Sequence, residues 1–142
     1  MDSTLLNKIF TTPLSRINVD GGDVLHGMKD SDNGYSGFGE SYFSFIEGGV
    51  IKGWKRHNEM ILNLVVPIGN AKFVFCNEES NEFRAFEIGE NNYARLTVPA
   101  GIWFGFKGLK DPESLILNIS NIPHDPTEVD KLALSAFKYD WK

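Results

Sequence analysis

An all-β sandwich or small barrel is predicted for this chain, and three features carry the prediction. Short segments of alternating apolar and polar residues recur, with Gly, Pro, Asn or Asp turn signals roughly every 8–12 residues. Strand and helix patterns do not alternate, and there is no internal repeat or low-complexity linker. Aromatics make up 13% of the 142 residues, eleven of them Phe, which suits a β-rich interior of interdigitating rings. A chain of this length forms one domain, burying about two thirds of its unfolded surface around a single core.

In chain order, residues 1–20 hold a short helical stretch at 3–10 that Thr11-Thr12-Pro13 stops. Glycines at 21, 22, 34, 37, 39, 48 and 49 punctuate the segment from 21 to 49. Strands are predicted at 42–46, 61–66 and 72–76, with Pro67-Ile68-Gly69-Asn70 supplying hairpin-type turn residues between the last two. Further strands fall at 83–88, 93–98, 103–106 and 114–120. Near the end the pattern changes. Asp125 is placed to cap a helix with Pro126 at its first position and Glu128 three residues after the cap. Val129, Leu132, Ala133 and Ala136 then recur at helical spacing. The aromatic tail Phe137, Tyr139 and Trp141 is expected to pack on the domain or on a partner subunit.

The formal net charge of −5 argues against broad nucleic-acid binding. No apolar run approaches the roughly 20 residues of a membrane span. The acidic start, Met1-Asp2, lacks the basic, apolar build of a signal peptide. The single cysteine, Cys76, excludes an internal disulfide and reads as a buried strand thiol. These features point to the cytoplasm. Lys52, Lys55 and Arg56 nonetheless cluster within five positions, and Lys107 and Lys110 follow a second motif. They form either a local patch for a diphosphate or a solvated strand edge.

The spacing of Gly49, Lys55, His57, Leu62 and Gly69 matches a cupin first motif, in which the three middle positions belong to metal ligands. Pro99-Ala100-Gly101-Ile102-Trp103-Phe104 matches the second motif, with Phe104 at the histidine position. Of four usual ligands only His57 remains. A metal-dependent cupin is therefore excluded by donor count, and no cofactor is implied. Gly49-Val50-Ile51-Lys52-Gly53-Trp54-Lys55 and Pro99 to Phe106 resemble segments of the dTDP-4-keto-6-deoxyglucose 3,5-epimerases, the RmlC-like cupins of cell-surface sugar biosynthesis. Gly22–His26, 37–40, 50–52, 99–103 and 122–126 resemble signatures of a shorter subgroup of epimerase relatives.

The resemblance covers roughly 20–142. It implies a double-stranded β-helix, or jelly-roll, barrel at 21–124. The segment at 1–20 would be exchanged in a homodimer, and a short C-terminal helix and tail at 125–142 would pack on the barrel. It implies a nucleotide-sugar substrate with a ketone at C4, whose neighbouring protons leave through an enolate. Such chemistry needs a base, a positive or hydrogen-bonding group at the ketone oxygen, and a proton donor on the opposite face. The family's base position is Lys55 here, its acid position aligns with Asn118, and its second-motif histidine is Phe104.

On a strand, Lys55 and His57 share one face. His57 is then the candidate base, because its unperturbed pKa of about 6.5 leaves it mostly neutral at pH 7, or else a histidine bonded to backbone at the barrel rim. Lys55 is expected to stabilise enolate charge. Tyr42 stands as the proton donor or as a packed core aromatic. Glu40, Ser44, Asn63, Phe104 and Asn118 are candidate substrate contacts, and Lys52 is a candidate for the diphosphate. His26 and His124 stay outside this set. The reading is an epimerase or ketoisomerase; a silent cupin that only binds a nucleotide sugar is the alternative.

Overall fold

The computed structural model describes residues 3–142, and it is a sandwich of two five-stranded antiparallel sheets. One sheet runs in the order β1 (Phe10–Pro13), β9 (Ala94–Val98), β6 (Leu62–Ile68), β11 (Glu113–Ser120), β4 (Glu40–Glu47). The other runs β12 (Val129–Lys131), β5 (Ile51–His57), β10 (Trp103–Gly108), β7 (Asn70–Asn77), β8 (Glu82–Gly89). A small ribbon of β2 (Arg16–Ile17) and β3 (Val24–Leu25) stands apart.

Period-two alternation decides what each strand buries. On β11, Ser114, Ile116, Asn118 and Ser120 point inward, while Leu115, Leu117 and Ile119 stay partly exposed. The core between the sheets is built from Leu64, Phe73, Phe75, Ile88, Leu96, Ile102 and Ile116 with their neighbours. Leu6 and Ile9 of the N-terminal segment are buried in this same core, and Arg84 donates to the carbonyls of both. The N-terminal stretch is a 3-10 helix at Ser3–Lys8, followed by β1, an edge strand that tolerates Pro13 at its last position.

Two expectations are corrected. The residues 67–70 do not close a hairpin. Pro67 and Ile68 still belong to β6, and the chain crosses from one sheet to the other at Gly69. Gly69 takes φ +86°, and a Cβ there would lie 2.1 Å from the Ser114 hydroxyl, so the crossing requires glycine.

The C-terminal helix does not form either. Asp125 caps only a single 3-10 turn, Pro126–Glu128, by accepting from the Thr127 N–H at 2.9 Å. The chain then lies down as β12 against the free edge of β5, and a second 3-10 turn, Leu134–Ala136, follows. An open sheet edge offers Val129–Lys131 backbone partners that a short surface helix lacks, and β-branched Val129 fits a strand better.

Past β12 the tail covers the outer face of the second sheet. Trp54, Val74, Cys76 and Trp103 form a separate cluster there under Phe137, Tyr139 and Trp141. Trp54 meets the Phe137 ring edge-on at 5.2 Å and donates its indole N–H to the Leu134 carbonyl at 3.0 Å. Cys76 is fully buried in this cluster, and burial pushes its thiol up to about 11.

Candidate active site

Between the two sheets, where β4 and β12 form the open edges, lies a cavity of about 250 Å³. One wall comes from β5, β10 and β12; the other comes from β4 and β11. Simple alternation would send Lys52 and Lys55 to opposite faces. A β-bulge prevents this: Lys55 pairs with Phe104 and Lys52 with Phe106, so Gly53 and Trp54 together oppose only Gly105. Both lysines therefore face the cavity, and Lys131 joins them from β12, directly opposite Lys55. Among the described residues no carboxylate lines the cavity.

The three lysines differ. The Lys52 ammonium donates to the Phe45 carbonyl at 3.3 Å and lies 5.9 Å from the Phe106 ring centre. Lys131 is exposed. Among the described residues Lys55 has neither a hydrogen bond nor an ion pair, and its Nζ stands 5.5 Å from the Phe104 ring centre. Burial, then the charges of Lys131 and Lys52, hold its pKa below the ordinary 10.5, against a smaller opposing pull from Glu128. The Phe104 face favours the ammonium by only about 0.5–1 kcal/mol, too little to cancel burial and two like charges.

Across the cavity stand Tyr42, Ser44 and Asn118. The Asn118 amide nitrogen donates to Ser44 Oγ at 3.1 Å and to the Tyr42 carbonyl at 3.4 Å. Its Oδ1 accepts nothing from a described residue and is what Asn118 offers a ligand. Tyr42 is 41% exposed at the mouth; burial of its ring, then the charge of Glu40, raises the phenol's pKa, so it stays protonated.

The fold thus gathers Tyr42, Ser44, Lys52, Lys55, Phe104 and Asn118 around one space. His57, Glu40 and Asn63 do not line it. His57 is buried, stacked on Phe104 at 6.3 Å, with Nδ1 2.5 Å from the Glu128 carboxylate. Burial holds its pKa below the ordinary 6.5 despite the opposing carboxylate, so the ring is neutral at neutral pH. An ionised carboxylate only accepts, which puts the proton on Nδ1 and leaves Nε2 a lone pair; Nε2 is buried without a partner among the described residues.

Glu128 is 3% exposed and also accepts from the Glu59 and Met60 N–H groups. These bonds together outweigh burial and lower its pKa. Glu40 instead accepts from the His124 N–H and tethers the segment after β11. Asn63 faces the outside of its sheet, where it donates to the Gly34 carbonyl and accepts from the Thr97 hydroxyl beneath the 26–35 loop.

Lys131 and Glu128 were not among the expected site residues. The capping pattern assigned both to a helix, and nothing local in the sequence signals that Val129–Lys131 pairs with β5. The metal that a cupin frame implies does not fit these residues. Leu62 and Phe104 carry no donor, Lys55 sits among cations, and His57 Nδ1 is held by Glu128. Among the described residues no group of three or more His, Cys, Asp or Glu is placed to hold a metal. A larger, shallower hollow of about 930 Å³ runs along Leu134–Trp141, but one segment lines it and no polar constellation converges there.

No family model matches the chain. A dTDP sugar isomerase from Desulfovibrio desulfuricans G20 has the same fold, at 30% identity and a TM-score of 0.88, over 94% of this chain and 90% of that one. A probable low-salt glycan biosynthesis epimerase of Haloferax volcanii is 32% identical over 97 residues, which is 64% of this chain. That match spans 62% of the Haloferax protein, less than two thirds of its length. The sugar 3,4-ketoisomerase of Thermoanaerobacterium thermosaccharolyticum, solved with TDP, shares the fold alone, at 13% identity and a TM-score of 0.75 over 89% of this chain and 90% of that one.

Proposed function

The chain belongs to the RmlC-like cupin family, the relatives of dTDP-4-dehydrorhamnose 3,5-epimerases and sugar 3,4-ketoisomerases, and from that premise we propose that it is an isomerase of a nucleotide-linked 4-keto-6-deoxyhexose. The nucleotide is dTDP or CDP, and the reaction is epimerisation or ketoisomerisation by removal and return of a proton beside the ketone. The setting is surface-polysaccharide assembly of the O-antigen type, in the cytoplasm.

The observation that carries this reading is the cavity's two-sided character: lysines on one wall, a protonated phenol and a free amide oxygen on the other. Removing a proton next to a ketone leaves negative charge on the ketone oxygen, and a preorganised cation there is the most effective stabiliser. Lys55 meets the ketone, and Tyr42 at the mouth exchanges the proton with solvent. Asn118 accepts from a sugar hydroxyl, while Lys52 and Lys131 hold the diphosphate. His57, tied to Glu128 and stacked on Phe104, positions the Phe104 ring and β12 without touching substrate.

A second reading, binding without turnover, draws support from Phe104, an unreactive ring where the resembled enzymes carry a histidine. Proton NMR of the protein with dTDP- and CDP-4-keto-6-deoxyglucose in deuterated water separates the two. Loss of the C3 or C5 proton signal supports catalysis and names the carbon. Broadened ligand signals with no exchange leave binding only.

We further propose that the protein is a homodimer. We place the contact on the outer face of the first sheet, where Phe43 is 63% and Phe45 56% exposed. Light scattering should find a dimer that Phe43→Glu splits; a monomer at every concentration contradicts this placement.

A further inference from the structure

We propose that Lys55 joins the substrate ketone covalently, as an imine, so that the proton chemistry runs through an iminium rather than through an enolate held by charge alone. The inference rests on the keto-sugar reading above. Three observations single out this lysine. Alternation on β5 sets it on the inner wall, against an apolar floor that includes Phe104 and Ile116. Among the described residues nothing accepts a hydrogen bond from its amine or pairs with its charge. Two further lysines, Lys52 and Lys131, crowd it from its own strand and from β12.

A lysine becomes a nucleophile when desolvation and neighbouring cations favour the free amine, and a carboxylate partner would reverse the effect. Among the described residues Glu128 is the acid whose charge acts on Lys55, and its carboxylate is already bonded to His57, Glu59 and Met60. The companion lysines lack this combination, because Lys52 donates to the Phe45 carbonyl and Lys131 is exposed.

The free amine of Lys55 attacks C4, and the new C–N bond gives a carbinolamine. Its hydroxyl leaves as water with one proton from the Tyr42 phenol or solvent, while the nitrogen keeps its hydrogen and its lone pair closes the C=N bond. The product is the protonated imine. This iminium is a stronger electron sink than the ketone, so the C3 or C5 proton leaves to water at the cavity mouth and the C–H pair moves into an enamine. Return of a proton to either face restores the iminium. Water then adds to C4 and expels the Lys55 amine, regenerating the ketone.

The test is reductive trapping. The whole protein is incubated with dTDP-4-keto-6-deoxyglucose and sodium cyanoborohydride, and the same preparation is assayed for proton exchange in deuterated water. The expected result is one substrate-dependent adduct per chain, mapped by peptide mass to Lys55 and absent from Lys55→Arg. No adduct, or an adduct on other lysines, overturns the imine if exchange persists, and the keto-sugar reading then survives on charge stabilisation. Absence of both adduct and exchange removes the two together. Because the primary readout is the wild-type protein, a poorly folding Lys55→Arg variant does not decide the outcome.

Discussion

Lys55 and His57 stand two residues apart on the same face of β5, in opposite surroundings. His57 is closed in: its Nδ1 faces a buried carboxylate that two backbone N–H groups also hold, and its ring lies on Phe104. Lys55 is left open, on a cavity wall with other lysines for company and no acceptor among the described residues. One residue strengthens the fold and the other strains it. His57 also has an unmet nitrogen, Nε2, but that atom is buried away from the cavity, whereas the Lys55 amine is short of partners where a ligand can reach it. On this contrast we propose Lys55 as the reactive residue, although histidine is the more familiar base.

The contrast can be broken first at Glu128. Glu128→Ala removes one partner of a buried pair and strands His57 and two backbone donors, so it should cost about 3–5 kcal/mol in urea unfolding. A loss below about 1 kcal/mol on the same scale would show that the pair is slack.

Lys131→Ala comes next. If Lys131 holds the diphosphate as proposed, dTDP binding by calorimetry should weaken by roughly fivefold, about 1 kcal/mol. Removing a like charge also lets the Lys55 pKa rise. The rate needs the free amine and falls as pH drops through that pKa, so the acid limb of the pH–rate profile should move to higher pH. The groups that set it are Lys131 and Lys52, which lower the pKa, and Glu128, which raises it.

Lys55→Met should go the other way in stability. It removes a half-buried charge with no partner among the described residues and should raise the unfolding free energy by up to about 1 kcal/mol in the same urea titration. The smallest effect is on melting temperature. His57 and Glu128 both have folded pKa values below their ordinary ones, so the unfolded chain takes up protons first on acidification. Stability should fall as pH drops below about 6.5 for His57 and again below about 4.5 for Glu128. Glu128→Gln should blunt the lower step.

Much of this architecture was legible in the residues. The strand read at 114–120 is β11 but for its first residue, and the glycine frame marked real turns: Gly69 and Gly101 both take positive φ. That frame reflects backbone geometry, which is why it persists without the metal ligands it usually accompanies. Tyr42, Lys55 and Asn118 were picked out by the family resemblance, and the fold sets all three around one cavity. Where reading failed, a distant contact had overridden a local signal. The bulge at Gly53–Trp54, visible only against β10, turned Lys52 inward. The free edge of β5 drew Val129–Lys131 out of a helical pattern and brought Lys131 and Glu128 with it. Asn63 has the polarity of a ligand contact, but its partners Gly34 and Thr97 lie outside the barrel.

The most direct test of the claim that Lys55 is the reactive group is deuterium incorporation into a 4-keto-6-deoxy sugar nucleotide by wild type, Lys55→Ala and His57→Gln side by side. The account predicts that Lys55→Ala loses about 10²–10⁴ in exchange rate, while His57→Gln, once shown to be folded, keeps a rate within about tenfold of wild type. If His57→Gln abolishes exchange and Lys55→Ala does not, the assignment is reversed and histidine is the base.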